Sequence, residues 1–172
     1  MKPDPQIVHK ILEQYALPAM STHGLPHWAR VLENGKRMSS INGVDMDVVA
    51  LFSVFHDCGR VNEVVDPGHG LRGAELLKKY RDKLFTLTNP EFELLEYAIV
   101  HHTDGLVDRD ITIGTCWDAD RLDLWRVATE PDKALMNTEA ALADEVWAAA
   151  RHCSITGYIP EYVLDQWLGA DG

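Results

Sequence analysis

The chain holds eight histidines: His9, His23, His27, His56, His69, His101, His102 and His152. Five of them fall where predicted helices meet loops. His27 stands in the first turn of a second helix, His56 at the end of a third, His69 just before a fourth, and His101 and His102 at the end of a fifth. Asp57 follows His56 directly, and the pair closes the apolar run from Val48 to Phe55. An ionised carboxylate at the end of an all-apolar helix costs several kcal/mol unless a cation or a satisfied hydrogen-bond network compensates it. Taken alone, the pair reads equally well as a core His–Asp hydrogen bond and as part of a metal site. The other histidines tip the reading toward metal, because helix ends from separate segments can converge on one point of a bundle. Asp118 and Asp120 then open a predicted sixth helix. Neutral imidazole combined with carboxylate suits Zn²⁺, Mn²⁺, Fe²⁺, Co²⁺ or Ni²⁺ better than Ca²⁺.

Other residues offer weaker chemistry, each with a structural alternative. Arg60, three residues after Asp57, fits a phosphate contact, since a guanidinium matches phosphate oxygens bidentately; the alternative is a surface salt bridge. Glu63 is either a general acid or a solvated loop residue. His23 either lines a pocket mouth or faces solvent, and His69 either joins the site or caps the fourth helix. His9 and His152 read as surface residues, and Arg121 with Asp123 as a structural ion pair. Trp28, Trp117, Trp125, Trp147 and Trp167 read as core, and Cys58 as a packing neighbour of the metal pair. Gly68, Gly70 and Gly73 fit a turn and close helix packing, not a phosphate-cradling loop. No Ser–His–Asp or activated-cysteine arrangement is present.

The elements that must position these residues are helices nearly throughout, with no sustained apolar/polar alternation and no hairpin signal. The pattern predicts helices over about 4–17, from Pro26 to a stop at Asn42-Gly43, from Asp45 or Asp47 through Phe55, over about 71–84, and from an Asn89-Pro90 start to His101. A polar loop over 103–114 precedes a helix over about 116–126. Thr138 caps a long alanine-rich helix to about His152, and Pro160 introduces a short last one ending near Leu168. The run through Val48, Val49, Leu51, Phe52, Val54 and Phe55 is apolar on every side and is predicted as the central buried helix. The expected fold class is all-α, one helical bundle over residues 1–172 with a C-terminal helical extension.

Composition limits the function. With 172 residues and 46% hydrophobic content the chain is long enough to bury a core. A formal net charge of −11 gives it no bulk attraction to nucleic acid or anionic lipid. Three widely spaced cysteines, Cys58, Cys116 and Cys153, form neither a disulfide framework nor a metal knuckle. The longest apolar run is far short of the roughly 20 residues that span a bilayer, and the N-terminal residues carry no signal-peptide pattern. A soluble, reducing, cytoplasmic setting is the expectation.

The order His27, His56-Asp57, Asp120 resembles the HD-domain metal-dependent phosphohydrolase superfamily. The flanking text carries the resemblance: Gly24-Leu25-Pro26-His27-Trp28-Ala29-Arg30-Val31, Leu51-Phe52-Ser53-Val54-Phe55-His56-Asp57-Cys58-Gly59-Arg60, and Ala119-Asp120-Arg121-Leu122. It covers about residues 21–127. The Ala-Asp-Arg-Leu context selects Asp120 over Asp118. The resemblance implies one metal held by His27, His56, Asp57 and Asp120. Members with extra histidines in the interval bind a second ion, which here implies Asp57 as the bridge with His69 and one or both of His101 and His102. The Gly-Tyr-Pro signature of one subgroup is missing after His102, where Thr103-Asp104-Gly105-Leu106 stands. A cyclic-di-GMP phosphodiesterase is therefore not implied.

The function expected from this is a metal-dependent phosphohydrolase, a phosphatase or phosphodiesterase, using one or two divalent transition ions. Its substrate would be a nucleotide or another small phosphorylated metabolite, with Asp57 and Arg60 in the chemistry. Two other classes stay open: a di-iron oxygenase on the same fold, and a non-catalytic metal-binding regulatory module. No membrane partner is expected.

Overall fold

The computed structural model describes residues 2–41 and 43–168. It is all-α, with no strand among the described residues. The helices are α1 (Pro5–Leu12), α2 (Leu25–Arg37), α3 (Met46–Phe55), α4 (His69–Tyr80), α5 (Asn89–His101), α6 (Ile111–Arg121), α7 (Glu139–Leu142) and α8 (Asp144–Thr156). Short 3₁₀ turns follow α6 at Leu124–Val127 and Lys133–Leu135, and a π-helical turn closes the chain at Val163–Trp167. No helix among the described residues is long and apolar enough to cross a membrane.

α3 is the central helix. Its residues Val48 to Phe55 are all buried, and α2, α5, α6 and α4 pack around it. Asp45 caps it, accepting from the backbone N–H groups of Asp47 and Val48. Around it, Trp28, Leu32, Leu77, Leu95, Ile99 and Trp117 fill the core, with Trp117 Nε1 donating to the carbonyl of Ala98 at 3.0 Å. The C-terminal helices return to the bundle, α8 against α2 and the final turn against α1 and α2.

Several predicted boundaries shift, each for a local reason. α1 ends at Leu12, and the chain turns so that Tyr15 packs edge-on against Trp28, ring centroids 5.2 Å apart. α2 ends at Arg37; of its predicted Asn42-Gly43 stop, Asn42 lies outside the described residues. α4 starts at His69 and ends at Tyr80, just before Asp82, whose left-handed φ of 60° ends any helical continuation. α5 is capped by Thr88 rather than Asn89, in a reciprocal box with Glu91. The long alanine-rich helix breaks at Ala143 into α7 and α8.

The largest correction concerns α6, which begins at Ile111, inside the predicted loop. Asp110 caps it, its carboxylate accepting from Thr112 and Ile113. The first turn, Ile-Thr-Ile-Gly-Thr, has poor helix propensity, and burial of that face overrides it. Asp118 and Asp120 therefore sit in the last turns of α6 instead of opening it.

Two glycines on α4 let it press onto its neighbours. A Cβ on Gly73 would lie 2.3 Å from the Phe55 carbonyl oxygen, and one on Gly70 would lie 2.7 Å from that of Ile99. This contact brings the first residue of α4, His69, against the ends of α3 and α5. Gly73→Ala is accordingly expected to lower stability by about 1–3 kcal/mol, the range for overpacking a tight contact, read as an earlier thermal or urea midpoint. An unchanged midpoint would mean that α4 can move away from α3 freely.

Candidate metal centre

Five helix ends supply the centre. His27 comes from the first turn of α2, His56 and Asp57 from the end of α3, His69 from the start of α4, His102 from the end of α5, and Asp120 from the last turn of α6. His27, His56, Asp57, His69 and His102 are buried, and Asp120 is nearly so.

Each imidazole is fixed by its Nδ1. His56 Nδ1 stands 3.0 Å from the Phe52 carbonyl oxygen, and His102 Nδ1 2.7 Å from that of Ile99. His69 Nδ1 contacts the Asp66 carbonyl, and His27 Nδ1 stands 2.8 Å from Asp123 Oδ2. Carbonyls and carboxylates only accept, so in all four rings Nδ1 carries the hydrogen. In the neutral rings every Nε2 is then a lone pair, and all four point inward.

They converge in two groups. In one, His27 Nε2 and His56 Nε2 are 3.0 Å apart, 3.5 and 3.8 Å from Asp57 Oδ2, and 3.3 and 3.7 Å from Asp120 Oδ1. In the other, His69 Nε2 and His102 Nε2 are 2.8 Å apart, and 3.1 and 3.6 Å from Asp57 Oδ1. Ligand atoms about 2.0–2.2 Å from one ion stand roughly 3–3.5 Å from each other, and the 2.8–3.8 Å spacings here bracket that range. Acceptors crowded this closely without donors between them repel, and a cation removes the repulsion. The residues fit a metal: His27, His56 and Asp57 could hold one ion and Asp57, His69 and His102 another, with Asp57 belonging to both. Asp120 Oδ1 stands beside the first pair of rings.

Charge at the centre follows from burial and mutual proximity. Burial pushes His56 down to about 3, so it is neutral at physiological pH despite the adjacent Asp57. For Asp57 burial acts upward, but a proton taken up by the surrounding His56, His102, His69 or His27 would outweigh it, holding the carboxyl well below the usual range. Asp120 is likewise held down against its burial, chiefly by His27. For His102 burial acts downward, and the neighbouring Asp57 carboxylate with the charge of Asp120 carries it above its ordinary value, so its Nε2 takes up a proton more readily than a free imidazole.

Beyond the ligands, Asp123 Oδ1 accepts from Arg30 Nε at 2.7 Å while its Oδ2 holds His27. This carboxylate–histidine arrangement orients a metal-binding ring. From the sequence Asp123 reads as the ion-pair partner of Arg121. Arg121 instead donates to the carbonyls of Leu135 at 2.5 Å and Gly105 at 2.6 Å. The available signal was position: Asp123 lies one turn beyond Asp120, where it can reach the outer edge of the same ring cluster.

Arg60 Nε donates to Asp57 Oδ1 at 2.9 Å, so it pairs with the centre rather than with a surface acid. His23 is buried with Nδ1 2.5 Å from Glu63 Oε2. Burial pushes His23 down against the pull of Glu63. Asp118 is not at the centre: it accepts from the backbone N–H and side chain of both Asn137 and Thr138, all at 2.8 Å. His101 is also not brought in. Its side chain is 41% exposed and faces Asp104, while His102 turns inward. His9 and His152 are exposed.

A cavity of about 330 Å³ opens over Asp57, His102 and Asp120. Its lining combines Arg60, Arg121, Arg126 and His23 with Asp104 and Asp132 and with the aliphatic Leu106, Leu124, Val127 and Leu135. Family models, curated proteins and solved structures compared with the chain give no match.

Two measurements check this geometry. Asp120→Asn is expected to lose bound metal, whereas Asp118→Asn keeps it and loses about 1–3 kcal/mol of stability, because an amide turns donors toward donors; metal analysis beside a denaturation curve separates them. Metal affinity is also expected to fall with acidification. Below its raised pKa His102 carries a proton that binding must displace, so each pH unit costs up to about tenfold in affinity per proton displaced. Equal affinities at pH 6 and pH 8 would remove His102 from the ligand set.

Proposed function

We propose that this protein is a metal-dependent phosphohydrolase of the HD type, acting on a small phosphorylated metabolite. The observation that carries the reading is the division of one carboxylate. Asp57 Oδ2 serves one imidazole pair, Asp57 Oδ1 serves the other, and the group opens into a cavity lined by guanidinium groups. That division supports two ions, with His27, His56, Asp57 and Asp120 holding one and Asp57, His69 and His102 the other. The nitrogen and oxygen donors suit Mn, Fe, Co, Ni or Zn. When bound, such ions supply Lewis acidity toward a phosphoryl oxygen and a water acidified toward neutral pH.

The chain's own groups supply the rest. Arg60 and Arg126 line the cavity. Arg126 Nε and Nη1 are held by the Thr22 and Asp123 carbonyls, which fixes its charge there, while the Arg60 fork can turn to phosphoryl oxygens. Asp123 fixes the tautomer and angle of His27. His23 has Nδ1 committed to Glu63, which leaves Nε2 as the nitrogen able to exchange a proton with a ligand in the cavity. The aliphatic wall of Leu106, Leu124, Val127 and Leu135 gives the non-phosphate part of a small substrate an apolar surface.

The test is metal analysis of protein purified without chelator, followed by a panel of phosphomonoesters and phosphodiesters. The expected result is hydrolysis that a chelator abolishes and divalent metal restores. Asp57→Ala is expected to lose metal and activity together. His69→Ala combined with His102→Ala is expected to lower well-loaded protein from about two ions per chain to about one. Metal-loaded protein inactive across the panel would overturn the phosphohydrolase reading, and full metal content in Asp57→Ala would overturn the ligand assignment.

A further inference from the structure

The two sides of Asp57 are not equivalent. The His27–His56 side has two carboxylate oxygens, Asp57 Oδ2 and Asp120 Oδ1. The His69–His102 side has one, Asp57 Oδ1, and that oxygen already accepts from Arg60 Nε at 2.9 Å. The Arg60 guanidinium makes no other carboxylate ion pair among the described residues. Its one further side-chain hydrogen bond among the described residues is a long 3.5 Å approach of Nη1 to the Val64 carbonyl, in an exposed stretch of loop. Arg60 also lines the cavity.

We propose that Arg60 stands in for a cation on the His69–His102 side of Asp57, so that this side takes its divalent ion together with a phosphoryl anion that draws the guanidinium away. This deepens the phosphohydrolase reading and rests on it. A fixed positive charge on the very oxygen that must serve the ion opposes a doubly charged cation there, while the other side carries no such charge and one more carboxylate. A phosphoryl group in the cavity offers the guanidinium a bidentate partner in exchange for its single bond to Asp57. The long arginine side chain can make that exchange without moving the Asp57–Arg60 turn, which a backbone hydrogen bond of 3.1 Å holds. Anion and second ion therefore bind with positive coupling, and by linkage each raises the affinity of the other by the same factor.

The experiment titrates metal-free protein with Mn²⁺, with and without inorganic phosphate, counting ions by calorimetry and by the exchange-coupled paramagnetic signal of a two-ion centre. In the wild type one ion is expected to bind tightly and a second weakly, and phosphate is expected to tighten the second by about tenfold or more. In Arg60→Gln the second ion is expected to bind about tenfold more tightly without phosphate, and the phosphate effect to shrink toward none. Arg60→Lys keeps the charge and is expected to retain a weak second ion. A second ion unchanged or weakened in Arg60→Gln overturns the proposal, since a residue that merely orients Asp57 would weaken both ions when lost. The phosphate effect in the wild type tests the coupling without any variant, and its absence also overturns the proposal. Wild-type protein that never takes a second ion, even with phosphate, overturns the two-ion reading itself. Two ions and phosphoester hydrolysis with an indifferent Arg60→Gln overturn only the role of Arg60.

Discussion

The constraint on which the structure turns is a crowd of acceptors. Four imidazole Nε2 atoms and the oxygens of two carboxylates meet at the centre of the bundle, and apart from a proton on His102 the groups that could donate to them are few. Every Nδ1 is committed outward, to a carbonyl or to Asp123, so no ring can turn to relieve the crowding without losing a buried hydrogen bond. Such a cluster stays together only where cations share it or where the surrounding fold holds it by force. Arg60 supplies one positive charge on one side. The remaining need for positive charge is one that a metal ion could meet.

The fold holds the cluster through helix ends. An end offers what a helix middle does not: free carbonyls to receive Nδ1–H, as Phe52 and Ile99 do for His56 and His102. It also offers a change of chain direction, which lets consecutive residues such as His56 and Asp57 face one point. Such ends must come close, and Gly70 and Gly73 make this possible by removing the side chains that would keep α4 away from α3 and α5. The loop before α4 is held in turn by Asp66, which receives Arg72 and the backbone of Val61 while its carbonyl receives His69.

Much of this was legible in the sequence because it follows from local rules. A carboxylate after an all-apolar run demands compensation, histidines at helix ends can converge, and glycines three apart on a helix permit close packing. What was not legible depended on rotation and on distance along the chain. His101 and His102 are adjacent, so their side chains point about 100° apart on a helix and only one can face the core; the sequence names the pair but not the member. Asp118 and Asp120 stand about 200° apart on α6; there the Ala-Asp-Arg-Leu context, not helix geometry, singles out Asp120, and Asp118 is turned to the Asn137–Thr138 turn. The start of α6 was hidden because β-branched residues and a glycine argue against a helix, and only burial on the finished bundle reverses that preference. Asp123 was misassigned because its partners, His27 and Arg30, lie more than 90 residues away in the chain.

Electrostatics narrows what the cavity can accept on the proposed reading. The chain carries a formal charge of −11, which repels polyanions at long range. Yet three of its arginines, Arg60, Arg121 and Arg126, border one cavity. Arg121 is already tied to two carbonyls, so its charge is fixed in place without being cancelled by a carboxylate. Asp104 and Asp132 stand on the same cavity and oppose a run of further phosphates, while leaving hydroxyl or amino groups of a small ligand an acceptor. On the proposed reading the bound ions, added to the three arginines, outweigh the four carboxylates Asp57, Asp104, Asp120 and Asp132 that line this cavity. The resulting positive field inside a negative surround favours a compact anion that can enter alone over an extended one that must lie across the acidic surface. The same balance explains why the apolar wall matters. With a single phosphoryl group to hold, the arginines supply affinity for the charge, and discrimination among small phosphorylated ligands falls to the fit of the remainder against Leu106, Leu124, Val127 and Leu135.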